Sequence, residues 1–343
     1  MSKLVNFVFI LYLLRIVCNI IEWYGALFAP IGGVIINFQP IKLDDKPVFD
    51  SFFRARRYEN AHFNFTNLFM WRHAFNIEWC TEAGFLLIRA AWGKEQFALQ
   101  PFGPEAELGK AITIWEDYFK QNNLPFIISG IESGAALQFE KLRPGFFKFH
   151  EDRDNYDYIY SAQDLINLKG RKFHSKKNHF NNFKKVYSNF VYLPLSAELV
   201  GQCVATAADW FEKKTDTIKN ELIDYEKNAI IEALTNQEYL DLTGGVIMIN
   251  GTVEAFTFGE QLNADTAVIH VEKANADIRG IYPAINQQFV KHAWSKMRYI
   301  NREEDMGLEG LRKSKLSYNP VKFVKKYVVT IRDQEQDRKL KQS

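Results

Sequence analysis

Residues 266–294 read TAVIHVEKANADIRGIYPAINQQFVKHAW, and this stretch decides the fold. Its β-branched first part predicts a buried strand over Thr266–Glu272. A polar turn follows, and Pro283 suits the first turn of a helix expected over Tyr282–Trp294. Free N–H groups at a helix N-terminus attract anions, so the Arg279-Gly280 pair marks either an anion site or an ordinary turn.

Outward from this stretch, one order of elements occurs twice along the chain: strand, helices, three strands, helix, strand, helix, strand. In the second half, Asn250-Gly251 between two β-rich runs predicts a hairpin. Antiparallel strands followed by a strand–helix–strand unit predict an α+β domain used twice. We expect a first domain over 34–153, a second over 154–333 and a charged tail over 334–343.

Composition excludes several classes of protein. The chain has 343 residues, of which 47% are hydrophobic and 24% charged, so it can bury enough surface to fold. Its net charge of +2 produces no global field for nucleic acid, and any such attraction must come from a local patch. The odd, widely spaced cysteines form neither a disulfide framework nor a zinc site, which suits the cytoplasm: Cys18, Cys80 and Cys203.

Residues 1–33 form an apolar extension for which three interpretations stay open. It is a weak signal anchor or interfacial segment, a helix packed on the domain, or an over-extended reading frame before a domain that starts near Val34. Arg15 would cost about 2.5–3.5 kcal/mol inside a bilayer, which argues against a membrane span. We therefore expect a cytoplasmic protein, with peripheral attachment or anchoring through this segment as the alternative.

The densest positive charge lies in residues 169–185. On a helix, Phe173, Phe180 and Phe183 share one side, and the basic residues are expected to face outward: Arg171, Lys172, Lys176, Lys177 and Lys184. The stretch is either a solvated helix face or a phosphate-contacting surface for tRNA, CoA or a lipid headgroup. His174 and His179 have no carboxylate or cysteine at a matching spacing, so we expect no metal site.

A second charged segment closes the chain. Residues 301–320 read NREEDMGLEGLRKSKLSYNP and bring many ionisable groups between two strands. Two interpretations stay open: an ion-pair network of Asp305, Arg312 and Lys315 that closes the last strand, or a functional site.

These segments resemble the C-terminal domain of phosphatidylglycerol lysyltransferases, and more closely the stand-alone bacterial proteins of unknown function that share it. The resemblance extends from about Phe38 to Ile331. It is carried by the strand–turn–helix of 266–294 and by these motifs: Asn155-Tyr156-Asp157-Tyr158, Leu168-Lys169-Gly170-Arg171-Lys172, Asn301–Gly307 and Leu311-Arg312-x-x-Lys315-x-x-Tyr318-x-Pro320. It implies a tandem GNAT fold like that of the Fem-type peptidoglycan aminoacyltransferases.

The resemblance also implies an activity. Characterised relatives move an aminoacyl group from charged tRNA to a hydroxyl on a lipid. We expect an acyl- or aminoacyltransferase with aminoacyl-tRNA or acyl-CoA as donor, and an amine or hydroxyl acceptor on a lipid or an amino acid. Lys315 and the Asp277/Arg279 turn match polar positions of the family's cleft. Neither DNA nor a metal is expected as a partner.

Acyl transfer requires a proton acceptor and a stabilised oxyanion. Glu272 or Asp305 is the candidate general base, and backbone N–H groups near 274–279 are candidates for the oxyanion. The candidates for binding the donor's phosphates or the acceptor's carboxylate lie in the turn before one helix and in a second, later segment: Asp277, Arg279, Gly280, Arg312 and Lys315. The alternative function is a non-catalytic ligand- or RNA-binding module derived from a transferase.

Overall fold

The computed structural model describes residues 36–215 and 221–332. The predicted N-terminal extension (1–33) and charged tail (334–343) lie outside the described residues, as does Val34. In the described part of the chain, no helix is long and apolar enough to cross a membrane.

The strands of the described residues form two mixed sheets of seven. Across the first sheet lie β1 (Gln39–Pro40), β2 (Glu78–Glu82), β3 (Phe85–Trp92), β4 (Glu95–Leu99), β5 (Ile127–Glu132), β14 (Lys326–Ile331) and β6 (Phe147–Glu151). Across the second lie β8 (Val191–Pro194), β9 (Thr243–Ile249), β10 (Thr252–Asn263), β11 (Thr266–Ala274), β12 (Tyr299–Asn301), β7 (Asp157–Ser161) and β13 (Lys322–Val324).

Both sheets have the same strand order, and each takes one strand from a distant part of the chain. Antiparallel strands lead to one parallel pair in each sheet, β4 with β5 and β11 with β12. The place beside that pair is filled by β14 in the first sheet and by β7 in the second. The predicted α+β class, with one arrangement of strands and helices used twice, is confirmed.

The last strand, β14, belongs to the first sheet, although the sequence places it in the second domain. β14 was expected in the second domain, but it hydrogen-bonds to β5 and β6 of the first sheet. Only Lys325 separates β13 from β14, so one extended segment passes from the second sheet into the first. A cut at residue 153 would leave the first sheet without β14. The boundaries 34–153 and 154–333 stay predictions.

Ten helices of the described residues flank these sheets. They are α1 (Lys46–Phe53), α2 (Phe65–Trp71), α3 (Leu108–Gln121), α4 (Ser133–Leu142), α5 (Ala162–Asn167), α6 (His174–Val186), α7 (Ala197–Thr215), α8 (Glu221–Thr235), α9 (Ile281–Ala293) and α10 (Glu309–Leu316). One core cluster joins α1 and α2 of the first half to α7, α8 and β10 of the second. The two halves therefore share buried apolar surface, whose removal from water stabilises them as a unit.

A β-bulge in β11 decides which side chains face which side of the second sheet. Phe258 of β10 lies opposite Val271, and the next residue, Gly259, lies opposite Ile269, so His270 is left without a partner. An extra residue in one strand reverses the alternation of faces beyond it. Glu272 therefore contacts α9, whereas His270 lies on the opposite face near α2.

Gly259→Ala is expected to destabilise the protein by about 1–3 kcal/mol, because the strands must separate to admit a methyl group. A Cβ at Gly259 would lie 2.0 Å from the carbonyl oxygen of Val268. Urea unfolding measures the effect. Gly201→Ala in α7 is the matched control, since a Cβ there meets nothing within 4 Å, and it is expected to stabilise by about 0.5–1 kcal/mol. Equal changes in the free energy of unfolding in the two variants would show that the backbone at Gly259 is not closely packed against Val268.

Candidate functional site

The candidate site lies where β11 and β12 part. Thr266 lies opposite Tyr299, and Val268 lies opposite Asn301, the last paired position. Beyond it, β11 continues to Ala274, while the chain after β12 leaves the sheet. Charged and aromatic side chains gather at this opening, and we call them the strand-end cluster: Lys176, Glu272, Arg302, Lys315 and Tyr318.

Glu272 and Arg302 form the centre of the strand-end cluster. Arg302 Nη2 donates to Glu272 Oε1 at 3.0 Å, and Asn286 Nδ2 donates to Glu272 Oε2 at 2.8 Å. The side chains of Glu272 and Arg302 are only 10% and 14% exposed. Arg302 Nη1 and Asn286 Oδ1 are buried without a hydrogen-bond partner. Buried polar atoms are nearly always bonded to protein, ordered water or a bound group, so these two atoms have hydrogen-bonding capacity left.

Two lysines add positive charge to this pair. Lys315 Nζ donates to the carbonyl oxygens of Arg302 and Glu303. Lys176 Nζ lies 4.1 Å from the centre of the Tyr318 ring, and the Arg302 guanidinium lies 4.7 Å from the same ring. Burial, reinforced by the charge of Arg302, lowers the pKa of Lys176 and of Lys315 to about 8. Lys315 is also attracted by Glu303 and Glu304, whereas Lys176 has only Glu272 nearby.

Asp305, one of the two predicted bases, is fully engaged in ion pairs and hydrogen bonds. Arg312 donates to both of its oxygens, at 2.9 and 2.7 Å, and Tyr158 and Arg153 donate to Oδ2. Burial raises the pKa of the Asp305 carboxyl, but the bonds from Arg312 and Tyr158 outweigh it and hold that pKa below its ordinary value. Arg312 also bonds Asp154. For Asp305 and Arg312, the contacts favour the ion-pair interpretation, while Lys315 extends to the strand-end cluster.

The predicted anion-binding turn is partly closed by the protein itself. Asp277 and Arg279 are exposed on it, away from any described ion pair. Gly280 has φ +90°, and a Cβ there would lie 2.5 Å from the carbonyl oxygen of His179, so α6 packs against the start of α9. Several N–H groups of the turn are bonded internally: those of Asn275, Asp277, Ile278 and Ile281.

The basic stretch does not present all its charges in one direction. Phe173, Phe180 and Phe183 are buried, as the helical spacing predicts. Lys176 was expected to face outward, but it is half-buried, because it lies four residues before Phe180 and seven before Phe183 on the same stripe. The remaining predicted phosphate contacts are exposed: Arg171, Lys172 and Lys177. Lys172 pairs with Asp164 at 2.9 Å.

His270 forms a separate cluster on the other face of β11. Its Nε2 lies 3.0 Å from Glu260 Oε1, and its Nδ1 lies 2.9 Å from Glu303 Oε1. Both ring nitrogens can donate only when the ring is protonated. Burial opposes that charge, but the bonds to the two carboxylates outweigh it and raise the pKa of His270 to about 9.

The free energy of unfolding is therefore expected to fall as pH rises through the pKa of about 9 of folded His270. The unfolded histidine titrates near pH 6.5, so the stabilisation, on the order of 1–3 kcal/mol, is fully present below that pH. Urea unfolding across this range checks it. His270→Gln should remove this part of the pH dependence, and His73→Gln, at an exposed position, should leave it unchanged. If the unfolding free energy of His270→Gln has the same pH dependence as that of the wild type, His270 is not its source.

Sequence reasoning missed three members of this site. Arg302, Tyr318 and Asn286 were not assigned roles, although Arg302 directly follows a strand that runs parallel to β11. The heptad-like spacing of Phe173, Lys176, Phe180 and Phe183 was the available signal that Lys176 faces inward. Among residues 36–215 and 221–332, no group of three or more His, Cys, Asp or Glu side chains is arranged to hold a metal ion.

Comparison with known proteins identifies relatives over nearly this whole fold. A conserved protein of unknown function from Bacteroides thetaiotaomicron is 35% identical, with a TM-score of 0.80 over 87% of this chain and 100% of that chain. L-PGS from Bacillus licheniformis shares the fold at 15% identity, with a TM-score of 0.59 over 86% of this chain and 95% of that one. An uncharacterised protein of Mycoplasmoides gallisepticum is 24% identical over 61% of this chain and 67% of its own length.

The family model described as "Phosphatidylglycerol lysyltransferase, C-terminal" matches residues 54–330. This match includes the strand-end cluster, Lys326 and both sheets except β1 and the last residue of β14. The chain therefore belongs to the family of phosphatidylglycerol lysyltransferase C-terminal domains.

Proposed function

We propose that this protein is an aminoacyltransferase that moves an aminoacyl group from aminoacyl-tRNA to an amine or hydroxyl acceptor. The observation that carries the proposal is the buried guanidinium of Arg302 among the lysines of the strand-end cluster, with its Nη1 outside every geometric hydrogen bond. A guanidinium N–H without a partner is suited to a phosphate or carboxylate oxygen. Family membership adds that domains of this kind are named for lysyl transfer.

The charges of the strand-end cluster support an anionic substrate. Lys176 and Arg302 lie near Glu272, whose two oxygens are already bonded by Arg302 and Asn286, and Lys315 bonds the backbone carbonyl of Arg302. Neither lysine has a carboxylate within salt-bridge distance among the described residues. We assign the donor's terminal phosphate to Arg302 and Lys315, with Glu272 holding Arg302 in position.

The packing of α6 against α9 supports tRNA over acyl-CoA as the donor. A pyrophosphate such as that of CoA is well held by free N–H groups at a helix N-terminus. Here the His179 carbonyl lies at Gly280, Pro283 has no N–H, and the Ile281 N–H is bonded to Ile278. Donor contacts by Asp277 and Arg279, and tRNA contacts by Arg171, Lys172 and Lys177, stay predictions of this proposal.

In the proposed reaction, the acceptor's nitrogen or oxygen attacks the ester carbonyl of the donor and loses a proton. The ester bond to the ribose oxygen then breaks, and that oxygen gains a proton. The contacts of Asp305 support a role in holding Arg312 and the loop before α10 rather than proton transfer. The strand-end cluster supplies the charges that orient the donor.

A binding panel with the full chain tests the donor class. The ligands are acetyl-CoA, a long-chain acyl-CoA, uncharged tRNA and aminoacylated tRNA. The shift in melting temperature caused by each ligand is measured at several salt concentrations. A ligand at a hundred times its dissociation constant should stabilise the protein by about 2.7 kcal/mol. We expect a shift with aminoacyl-tRNA that weakens with salt, because phosphate contacts release counterions. A shift with CoA compounds alone would contradict the donor assignment.

A transfer assay then tests the activity. Radiolabelled aminoacyl-tRNA is incubated with the full chain and either phosphatidylglycerol vesicles or free amino acids, and labelled products are separated from tRNA. Labelled product from either acceptor class supports the proposal and names the acceptor. Tight binding of tRNA without turnover on either acceptor would instead support the non-catalytic module.

A further inference from the structure

Of the ionisable groups in the strand-end cluster, Glu272, Arg302 and Lys315 are engaged in hydrogen bonds or ion pairs. Glu272 accepts bonds from Arg302 and Asn286 on its two oxygens. Lys315 Nζ donates to two backbone carbonyls. These bonds occupy the Lys315 amine and both Glu272 oxygens, so either group would have to break an existing hydrogen bond before it could take a proton from a substrate.

The surroundings of Lys176 differ from those of these three groups. Among the described residues its amine contacts the face of the Tyr318 ring, with no hydrogen bond or ion pair to any of them. The charged groups that face it are Arg302 from the end of β12 and Glu272 from β11. Lys176 is half-buried on the inward stripe of α6, whereas the next residue, Lys177, is exposed. The ring of Tyr318 places the Lys176 amine beside Arg302, where the donor's phosphate is assigned.

We propose that Lys176 is the proton-accepting group of this site. This proposal rests on the proposed aminoacyl transfer and deepens it. The neutral Lys176 amine takes the proton of the acceptor's O–H or N–H as that atom bonds to the ester carbonyl carbon. The ester bond to the ribose oxygen breaks, and the resulting ammonium returns the proton to that oxygen, which restores the neutral amine.

The electrostatic surroundings support this role. Burial first, and the charge of Arg302 second, lower the pKa of Lys176 to about 8, with Glu272 opposing them. General bases are most effective when their pKa lies near the working pH. A large fraction of Lys176 is therefore neutral under mildly alkaline conditions, whereas an ordinary exposed lysine is almost entirely charged.

Amine labelling of the full chain tests the protonation of Lys176 without any substrate. Trace acetic anhydride is added over a series of pH values, and peptide mass spectrometry reports the labelling of Lys176 and Lys177 separately. We expect labelling of Lys176 to reach half its maximum near pH 8. If Lys176 reaches half-maximal labelling only near the pKa of an ordinary lysine, about 10.4, the proposal is overturned even if the enzyme is active.

Substitutions of Lys176 then distinguish a role in proton transfer from a role as a positive charge. Lys176→Met and Lys176→Arg are both expected to lower kcat by roughly a hundred- to ten-thousand-fold, because arginine keeps the charge but does not deprotonate. Lys120→Met, at an exposed position of α3 outside the proposed site, is the control and should retain full activity and the wild-type pH profile. Activity retained by Lys176→Arg would overturn the proposal and leave Lys176 as a charge only. A wild-type chain without any transfer would contradict the proposed function, and labelling would still decide whether the amine is neutral.

Discussion

Lys326→Met is expected to destabilise the protein by about 3–5 kcal/mol, because it leaves buried carboxylates without their cation. Lys326 Nζ lies 2.7 Å from Asp157 Oδ1, and the two side chains are 1% and 0% exposed. Glu304 Oε2 lies 3.5 Å from the same amine. Lys326 begins β14 of the first sheet, while Asp157 and Glu304 come from the second half. The ion pair thus lies at the joint between the halves, and chemical denaturation measures its loss.

Lys325→Met is the matched control for this prediction. Lys325 is the neighbouring residue and pairs with Glu151 at 3.0 Å, but their side chains are 49% and 55% exposed. Exposed pairs contribute about 0–1 kcal/mol, so this variant should remain close to wild type. The double variant Lys326→Met with Asp157→Asn should lose less stability than the two single losses added together. Similar effects of Lys325→Met and Lys326→Met would refute the importance of the buried pair.

Arg302→Gln is expected to lower aminoacyl transfer by roughly a hundred- to a thousand-fold, as loss of a positioned charge at a transfer site typically does. It also removes the cation that pairs with the Glu272 carboxylate, whose side chain is only 10% exposed. We therefore expect destabilisation by about 2–4 kcal/mol, somewhat less than a fully buried pair loses. Denaturation and the transfer assay are measured on the same preparations, so that lost folding and lost activity are told apart.

The double variant Glu272→Gln with Arg302→Gln separates the two effects. It removes both charges, so most of the lost stability should return, whereas activity should stay low. Arg298→Gln is the control, because Arg298 is exposed on the loop before β12 and its guanidinium lies over the Tyr299 ring, away from the strand-end cluster. Full activity in the double variant would show that the Glu272–Arg302 pair is structural.

Local patterns predicted much of the fold because they depend on near neighbours. The apolar residues of α3 recur at helical spacing, and the structure buries them on one face. The Asn250-Gly251 hairpin turn is present, with φ of +52° and +81° at its two residues. Both features follow from the preferences of a few adjacent residues.

The site was predicted only in part. Glu272 and Lys315 were named, and both belong to the strand-end cluster. Asp305 and Arg312 were named as well, but the folded chain binds them to each other. Ion pairing depends on which groups meet across distant segments, and spacing along the chain does not reveal it.

The sequence by itself determined the element order, the repeated α+β unit and the family resemblance, because these depend on periodicity and short motifs. Tertiary structure alone decided three further properties. It placed β14 in the first sheet, it turned Glu272 and His270 to opposite faces through the bulge opposite Gly259, and it directed Lys176 inward. Each of these arises from packing between segments far apart in the chain, where register, burial and charge are settled together.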